Sequence, residues 1–84
     1  MTRPESARQS NERIAAQAER LHFVSRVPML CECSDGECHR IVLVALDDYR
    51  AARCEADFLT APGHRIEGGT AVAREPEYWL QTAP

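Results

Sequence analysis

The sequence predicts an α+β fold: an N-terminal helix, then a small antiparallel sheet that carries one short helix and is stapled by a metal ion. Three observations predict it. Apolar side chains recur at helical spacing over residues 11–22. Residues 41–45, 57–61, 70–74 and 77–82 read as short strands. Cys31, Cys33 and Cys38 lie within eight residues of one another around a turn. A chain of 84 residues makes one domain, and domains of this size commonly need a disulfide, a metal or a partner to hold a small core together.

The opening stretch MTRPESARQS contains Pro4 and no apolar periodicity, so residues 1–10 are expected to be a flexible N-terminus. Ser10 or Asn11 can cap a helix over residues 11–22, with Ile14, Ala15, Ala18 and Leu21 on one face. Two of those four are alanines, so this helix is expected to lean on the domain or on a partner. The small α+β domain occupies residues 23–82. His22-Phe23-Val24 leads to Val27-Pro28-Met29-Leu30, an extended approach to the cysteines, because Pro28 disfavours helix at Val27. Ser34-Asp35-Gly36 is a turn signal. The apolar, mostly β-branched residues 41–45 form a buried strand. Asp47 caps a short helix from Leu46 to about Arg53 that turns Tyr49 and Ala52 towards the sheet. Asp57 to Ala61 is a strand ended by Pro62-Gly63-His64, and residues 70–74 and 77–82 form a final hairpin around Glu75-Pro76.

Composition excludes several classes. The formal charge is −3 and there is no Lys/Arg block, whereas a nucleic-acid binder usually shows a basic stripe; binding of nucleic acid by this chain alone is not expected. The longest apolar run, Ile41 to Leu46, has six residues, against the roughly 20 that span a bilayer. With no hydrophobic signal core at the N-terminus, the expected location is the cytoplasm, where thiols stay reduced.

That compartment shapes the reading of the cysteines. The spacing C-x-C-x4-C around a turn points two or three thiolates at one centre. Zinc takes four nitrogen or sulfur ligands in a tetrahedron. A disulfide between Cys31 and Cys33 would be strained, and a turn rich in Ser, Asp, Gly and Glu is a poor place to bury three inert thiols. The fourth ligand has three candidates. His64 follows a rigid Pro-Gly turn at a strand end and is favoured. Cys54 comes next, at the end of the short helix and off its apolar face. His39 comes last, because neighbouring residues seldom both reach one ion.

Several elements together resemble a family of small uncharacterised actinobacterial-type proteins: Asn11-Glu12-Arg13-Ile14, Leu30-Cys31-Glu32-Cys33 with Cys38, Asp48-Tyr49, Phe58, and Ala61-Pro62-Gly63-His64. The resemblance covers residues 11 to about 66. It implies that Cys31, Cys33, Cys38 and His64 are the recurrent set, with no cysteine at position 54. The C-terminal part departs from the family, which usually ends in a more acidic, valine-rich hairpin. The family carries no known activity.

The function expected on these grounds is a non-enzymatic zinc-binding protein. It is an interaction or regulatory module with a structural zinc on three cysteines and one histidine, whose N-terminal helix and Trp79 are contact elements for a protein partner. The alternatives use the same cysteines as redox thiols or as ligands of an iron–sulfur cluster. A nucleophilic thiol needs nearby cations or a helix N-terminus, and Glu32, Asp35 and Glu37 are expected to work against it.

Overall fold

The computed structural model describes residues 2–84. Its elements are α1 (Arg3–Arg20), β1 (Val27–Leu30), β2 (Ile41–Val44), α2 (Leu46–Glu55), β3 (Phe58–Thr60), β4 (Thr70–Arg74) and β5 (Trp79–Thr82). This is the α+β architecture the sequence predicts, with one difference in the sheet. The strands form two small antiparallel sheets, β1-β2 and β3-β5-β4.

The first correction concerns the N-terminus. Residues 3–10 are helix, not a flexible leader, and α1 is 18 residues long. Thr2 is its N-cap: the Thr2 hydroxyl accepts from the Glu5 amide at 3.5 Å and bonds the Glu5 carboxylate at 3.0 Å. Thr2-Arg3-Pro4-Glu5 has the sequence of a capping box, with proline in the first turn, where its missing N–H costs nothing. The buried residues of α1 are Pro4, Ala7, Asn11, Ala15 and Ala18, a stripe spaced by threes and fours. Its small members let the helix axis come close to β1. Ile14 is only half-buried and Leu21 is exposed, so the packed face is rotated from the one expected.

Asn11 is not a cap. It lies mid-helix and is fully buried. Its Oδ1 accepts from the Leu30 amide at 2.8 Å and its Nδ2 donates to the Leu30 carbonyl at 2.9 Å. One amide side chain thus takes the place of a neighbouring strand along the outer edge of β1.

The helix ends without glycine. The amides of His22 and Phe23 donate to the carbonyls of Glu19 and Ala18 at 3.1 and 2.9 Å, the bonding pattern of a Schellman motif. His22 sits in the left-handed region at φ 53°, which costs a residue with a Cβ roughly 1 kcal/mol.

In the second helix, Asp47 does not cap. Ala45 is the N-cap and no side chain bonds the first turn, while Asp47 and Asp48 lie inside it. Tyr49 and Ala52 face the core as expected. The two sheets meet at Glu32 and Leu59: the Glu32 amide donates to the Leu59 carbonyl at 2.9 Å, and the Leu59 amide donates to Glu32 Oε1 at 2.8 Å. A side-chain oxygen stands where a strand carbonyl belongs, and this pair of residues joins the sheets. Met29, Val42, Val44, Tyr49, Leu59 and Leu80 form the centre of one core. In the last hairpin Leu80 is buried, whereas Trp79 is half-buried with the Arg74 guanidinium 4.8 Å above its ring.

Two substitutions test this account. Asn11→Ala leaves the Leu30 amide and carbonyl without partners and removes a donor from Glu32, so the expected loss is about 3 kcal/mol. His22→Gly relieves the left-handed strain and is expected to raise stability by about 0.5–1 kcal/mol. Urea unfolding of the metal-loaded protein measures both; an Asn11→Ala variant as stable as the parent contradicts the edge-sealing role.

Candidate metal centre

β1 runs straight into the cysteines. The Cys31 amide donates to the Arg40 carbonyl at 3.2 Å, which extends the β1-β2 ladder by one step. In extended chain, alternate side chains take opposite faces. Cys31 and Cys33 therefore share one side and Glu32 takes the other. The turn brings Cys38 back: the Asp35 carbonyl accepts from the Cys38 amide at 3.1 Å and the Asp35 side chain accepts from the Glu37 amide at 3.0 Å.

The second arm comes from the end of β3. Ala61-Pro62-Gly63-His64 closes as a turn, with the His64 amide donating to the Ala61 carbonyl at 3.1 Å and Gly63 at φ 83°. Proline first and a left-handed glycine second are what a type II turn requires. The His64 carbonyl is held by Thr60 Oγ1 at 3.2 Å and by Gln81 Nε2 at 2.5 Å. Gln81, fully buried on β5, also accepts from the Ile66 amide at 3.0 Å. Ser34 bonds across to the same loop, its amide to the Arg65 carbonyl and its hydroxyl to the Glu67 amide at 2.8 Å.

These two arms bring Cys31, Cys33, Cys38 and His64 together. One ligand atom from each lies within 4.8 Å of all the others. His64 Nδ1 is 3.6 Å from Cys31 Sγ and 3.4 Å from Cys38 Sγ. The four residues can hold a metal ion. The other two candidates stand apart: Cys54 is exposed on α2 and His39 is exposed beside the turn.

Around this cluster lie residues that the linear pattern did not mark. Arg3, from the first turn of α1, reaches over the cysteine turn. Its Nη1 donates to the carbonyls of Cys31 and Cys33 at 3.0 and 2.5 Å, and its Nη2 to that of Cys38 at 2.9 Å. Nη1 also lies 3.8 Å from Cys33 Sγ. A capping-box motif at Thr2 was the available signal that Arg3 belongs to a helix. The Ala61 amide donates to Cys31 Sγ at 3.2 Å.

Glu32 faces away from the thiols. It is fully buried. Asn11 Nδ2 donates to its Oε2 at 2.6 Å, Arg53 Nη1 donates to its Oε1 at 2.9 Å, and Arg53 Nη2 pairs with Oε2. Arg53 also meets the Tyr49 hydroxyl at 3.0 Å and lies over the Tyr49 ring. The expectation that Glu32 acts on the thiols is therefore corrected: its charge is spent on Arg53.

The thiols themselves differ. Burial pushes Cys31 up to about 12 despite the Ala61 and Cys33 amides. For Cys38, burial is outweighed by the Arg40 amide, the two neighbouring thiols and the Arg3 charge, and the net shift is downward. The acidic turn does not raise Cys38 as expected. A thiol shifted upward in this way is a poor nucleophile, and binding a metal requires it to release its proton to solvent.

Comparison of the chain with protein-family models, curated proteins and solved structures finds no match.

The geometry sets an order among variants. His64→Ala is expected to lose most of the bound metal, while Cys54→Ala and His39→Ala keep it. Arg3→Met keeps the helix former and removes the charge, and is expected to weaken metal binding roughly tenfold or more without abolishing it, as loss of an outer partner does. Metal content after dialysis against a graded chelator series ranks the four. Retention by His64→Ala together with loss by Cys54→Ala contradicts the assignment.

Proposed function

We propose that the chain is a small non-enzymatic module in which Cys31, Cys33, Cys38 and His64 hold one structural zinc ion, and that its work is done by its surface against a protein partner. One observation carries the zinc reading. A zinc ion with Zn–S near 2.3 Å and Zn–N near 2.0–2.1 Å sets sulfur and nitrogen about 3.6 Å apart across a tetrahedron edge. The sulfur–nitrogen separations here are 3.6 and 3.4 Å. His64 therefore stands at single-ion spacing from Cys31 and Cys38, and Cys33 completes a set whose ligand atoms all lie within 4.8 Å of one another. An iron–sulfur cluster attaches its ligands to different irons with sulfides between them, and a set confined within 4.8 Å favours one ion over a cluster.

The charge balance supports the same reading. Three thiolates, one neutral imidazole and a divalent ion sum to −1, and the Arg3 guanidinium on the turn carbonyls offsets it. Thiolates also favour zinc over magnesium or calcium. With all four positions filled by protein, no site remains for water or substrate, which marks a structural ion and not a catalytic one. No helix of the described residues is long and apolar enough to cross a membrane; a cytoplasmic, thiol-reducing setting is part of the proposal and keeps the ligands available.

Elemental analysis of protein purified without added metal is expected to find about one zinc per chain. Because zinc binding in small domains is worth about 10 kcal/mol or more and whole domains are stable by about 5–15 kcal/mol, a strong chelator is expected to flatten the thermal transition. A colourless holoprotein with zinc supports the reading. A coloured one containing iron and sulfide, or an apoprotein that melts where the holoprotein does, overturns it.

A further inference from the structure

At the end of the molecule away from the zinc ligands, the Schellman turn at His22 throws the chain back from α1 towards β1. Between the C-terminal half of α1 and the start of β1 it leaves a groove of about 740 Å³. Ile14, Leu21, Phe23 and Pro28 supply its apolar lining, and Arg13 and Arg20 edge it. Leu21 is 65% exposed and Phe23 46%, and Val24 beside them is 97% exposed. Three large apolar side chains in four consecutive residues are thus held in water by a turn whose left-handed His22 is itself strained.

The charges around the groove are of one sign. Four arginines elsewhere pair with acids: Arg8 and Arg53 with Glu12, Arg26 with Glu77, Arg50 with Glu19, and Arg53 also with the buried Glu32; the two that edge the groove do not. Among the described residues, Arg13 and Arg20 form no ion pair; Arg20 bonds only the Gln17 amide, at 2.6 Å. No carboxylate lines the groove, although the chain as a whole carries −3. A basic-edged apolar groove on an acidic protein selects a complementary occupant.

We infer that this groove docks an acidic amphipathic segment of a partner protein, with the segment's apolar face against Leu21, Phe23 and Pro28 and its carboxylates on Arg13 and Arg20. The inference rests on the reading of the chain as a zinc-stapled interaction module and names the surface and the chemistry of the partner. A helix lying in an apolar groove presents anchors at i, i+3, i+4 and i+7. Arg13 and Arg20 are seven residues apart on α1, about 10 Å along the helix axis, a span that two turns of such a helix cover.

The test uses the zinc-loaded full chain, isotope-labelled for NMR. It is titrated with a synthetic helix-forming peptide that has leucines at i, i+3, i+4 and i+7 flanked by glutamates, and with a twin in which every glutamate is lysine. Saturable shifts confined to residues of α1 after Arg13 and to the 21–28 segment, with the glutamate peptide and not the lysine twin, are expected. The double variant Arg13→Glu/Arg20→Glu is expected to bind the glutamate peptide at least about tenfold more weakly and to gain affinity for the lysine twin. Both arginines are exposed, so the variant is expected to keep its zinc and its melting temperature, which are measured on the same samples. Absence of zinc from the parent protein overturns the module reading. With zinc present, the docking inference alone is overturned by any of four results: no shifts at the groove, equal binding of the lysine twin, saturable binding only to phosphatidylglycerol vesicles, or a concentration-dependent dimer that covers the groove.

Discussion

A fully buried carboxylate, Glu32, sits between two cysteines of the candidate metal site, and much of the molecule is arranged to make that tolerable. Removing an ion from water costs several kcal/mol unless it is paired and hydrogen-bonded. Here the pairing draws Arg53 from α2, Asn11 from α1 and the Leu59 amide from β3 onto one side chain. Three elements converge on a residue whose neighbours in sequence belong to the candidate metal site. The two-residue alternation of extended chain makes this possible, since whatever orients Glu32 inward orients Cys31 and Cys33 together on the opposite face. The polar network and the candidate metal site are two faces of one short extended segment.

The grip of α1 follows from the same arrangement. Its first turn reaches the cysteine carbonyls through Arg3, and its middle reaches β1 and Glu32 through Asn11. Its last turn makes no comparable polar tie to the domain, apart from the exposed pair of Glu19 with Arg50. The helix is therefore anchored at the end nearest the cysteine–histidine cluster and leaves its other end to shape a surface. Packing by alanine, proline and asparagine in place of leucine keeps the helix close but gives it little apolar area to bury, so directed hydrogen bonds carry more of its attachment than they do in a larger core.

What could be read from the chain depended on whether the cause was local. The cysteine spacing, the Pro-Gly turn before His64, the strand expected at 41–45 and the Tyr49/Ala52 face all follow from residue type and near neighbours and all appear in the structure, although that strand is buried on one face only, with Ile41 and Leu43 exposed. The start of α1 is legible too, in Thr2 and Glu5, because a proline in the first turn starts a helix and does not break it. Asn11 has the composition of a cap, and only the edge of β1, 19 residues away, gives its amide a different partner. Glu32 and Arg53 are 21 residues apart, and nothing in either segment alone distinguishes a buried ion pair from two solvated charges. The division into two sheets was invisible for a similar reason, because it hangs on one carboxylate oxygen replacing one strand carbonyl.

The trio of Glu32, Arg53 and Asn11 also constrains how this sequence can drift. Losing Arg53 first strands a carboxylate in the core, and losing Glu32 first strands a guanidinium that is mostly enclosed; either step alone is far worse than both together. Glu32→Gln is the gentlest entrance, since an amide oxygen still accepts from Leu59 while the charge is gone, after which Arg53 is free to become apolar. A path through sequence space that begins at Arg53 is closed, and one that begins at Glu32 is narrow. Related chains should therefore carry these three residues as a block, or replace them as a block, whatever else around them has changed.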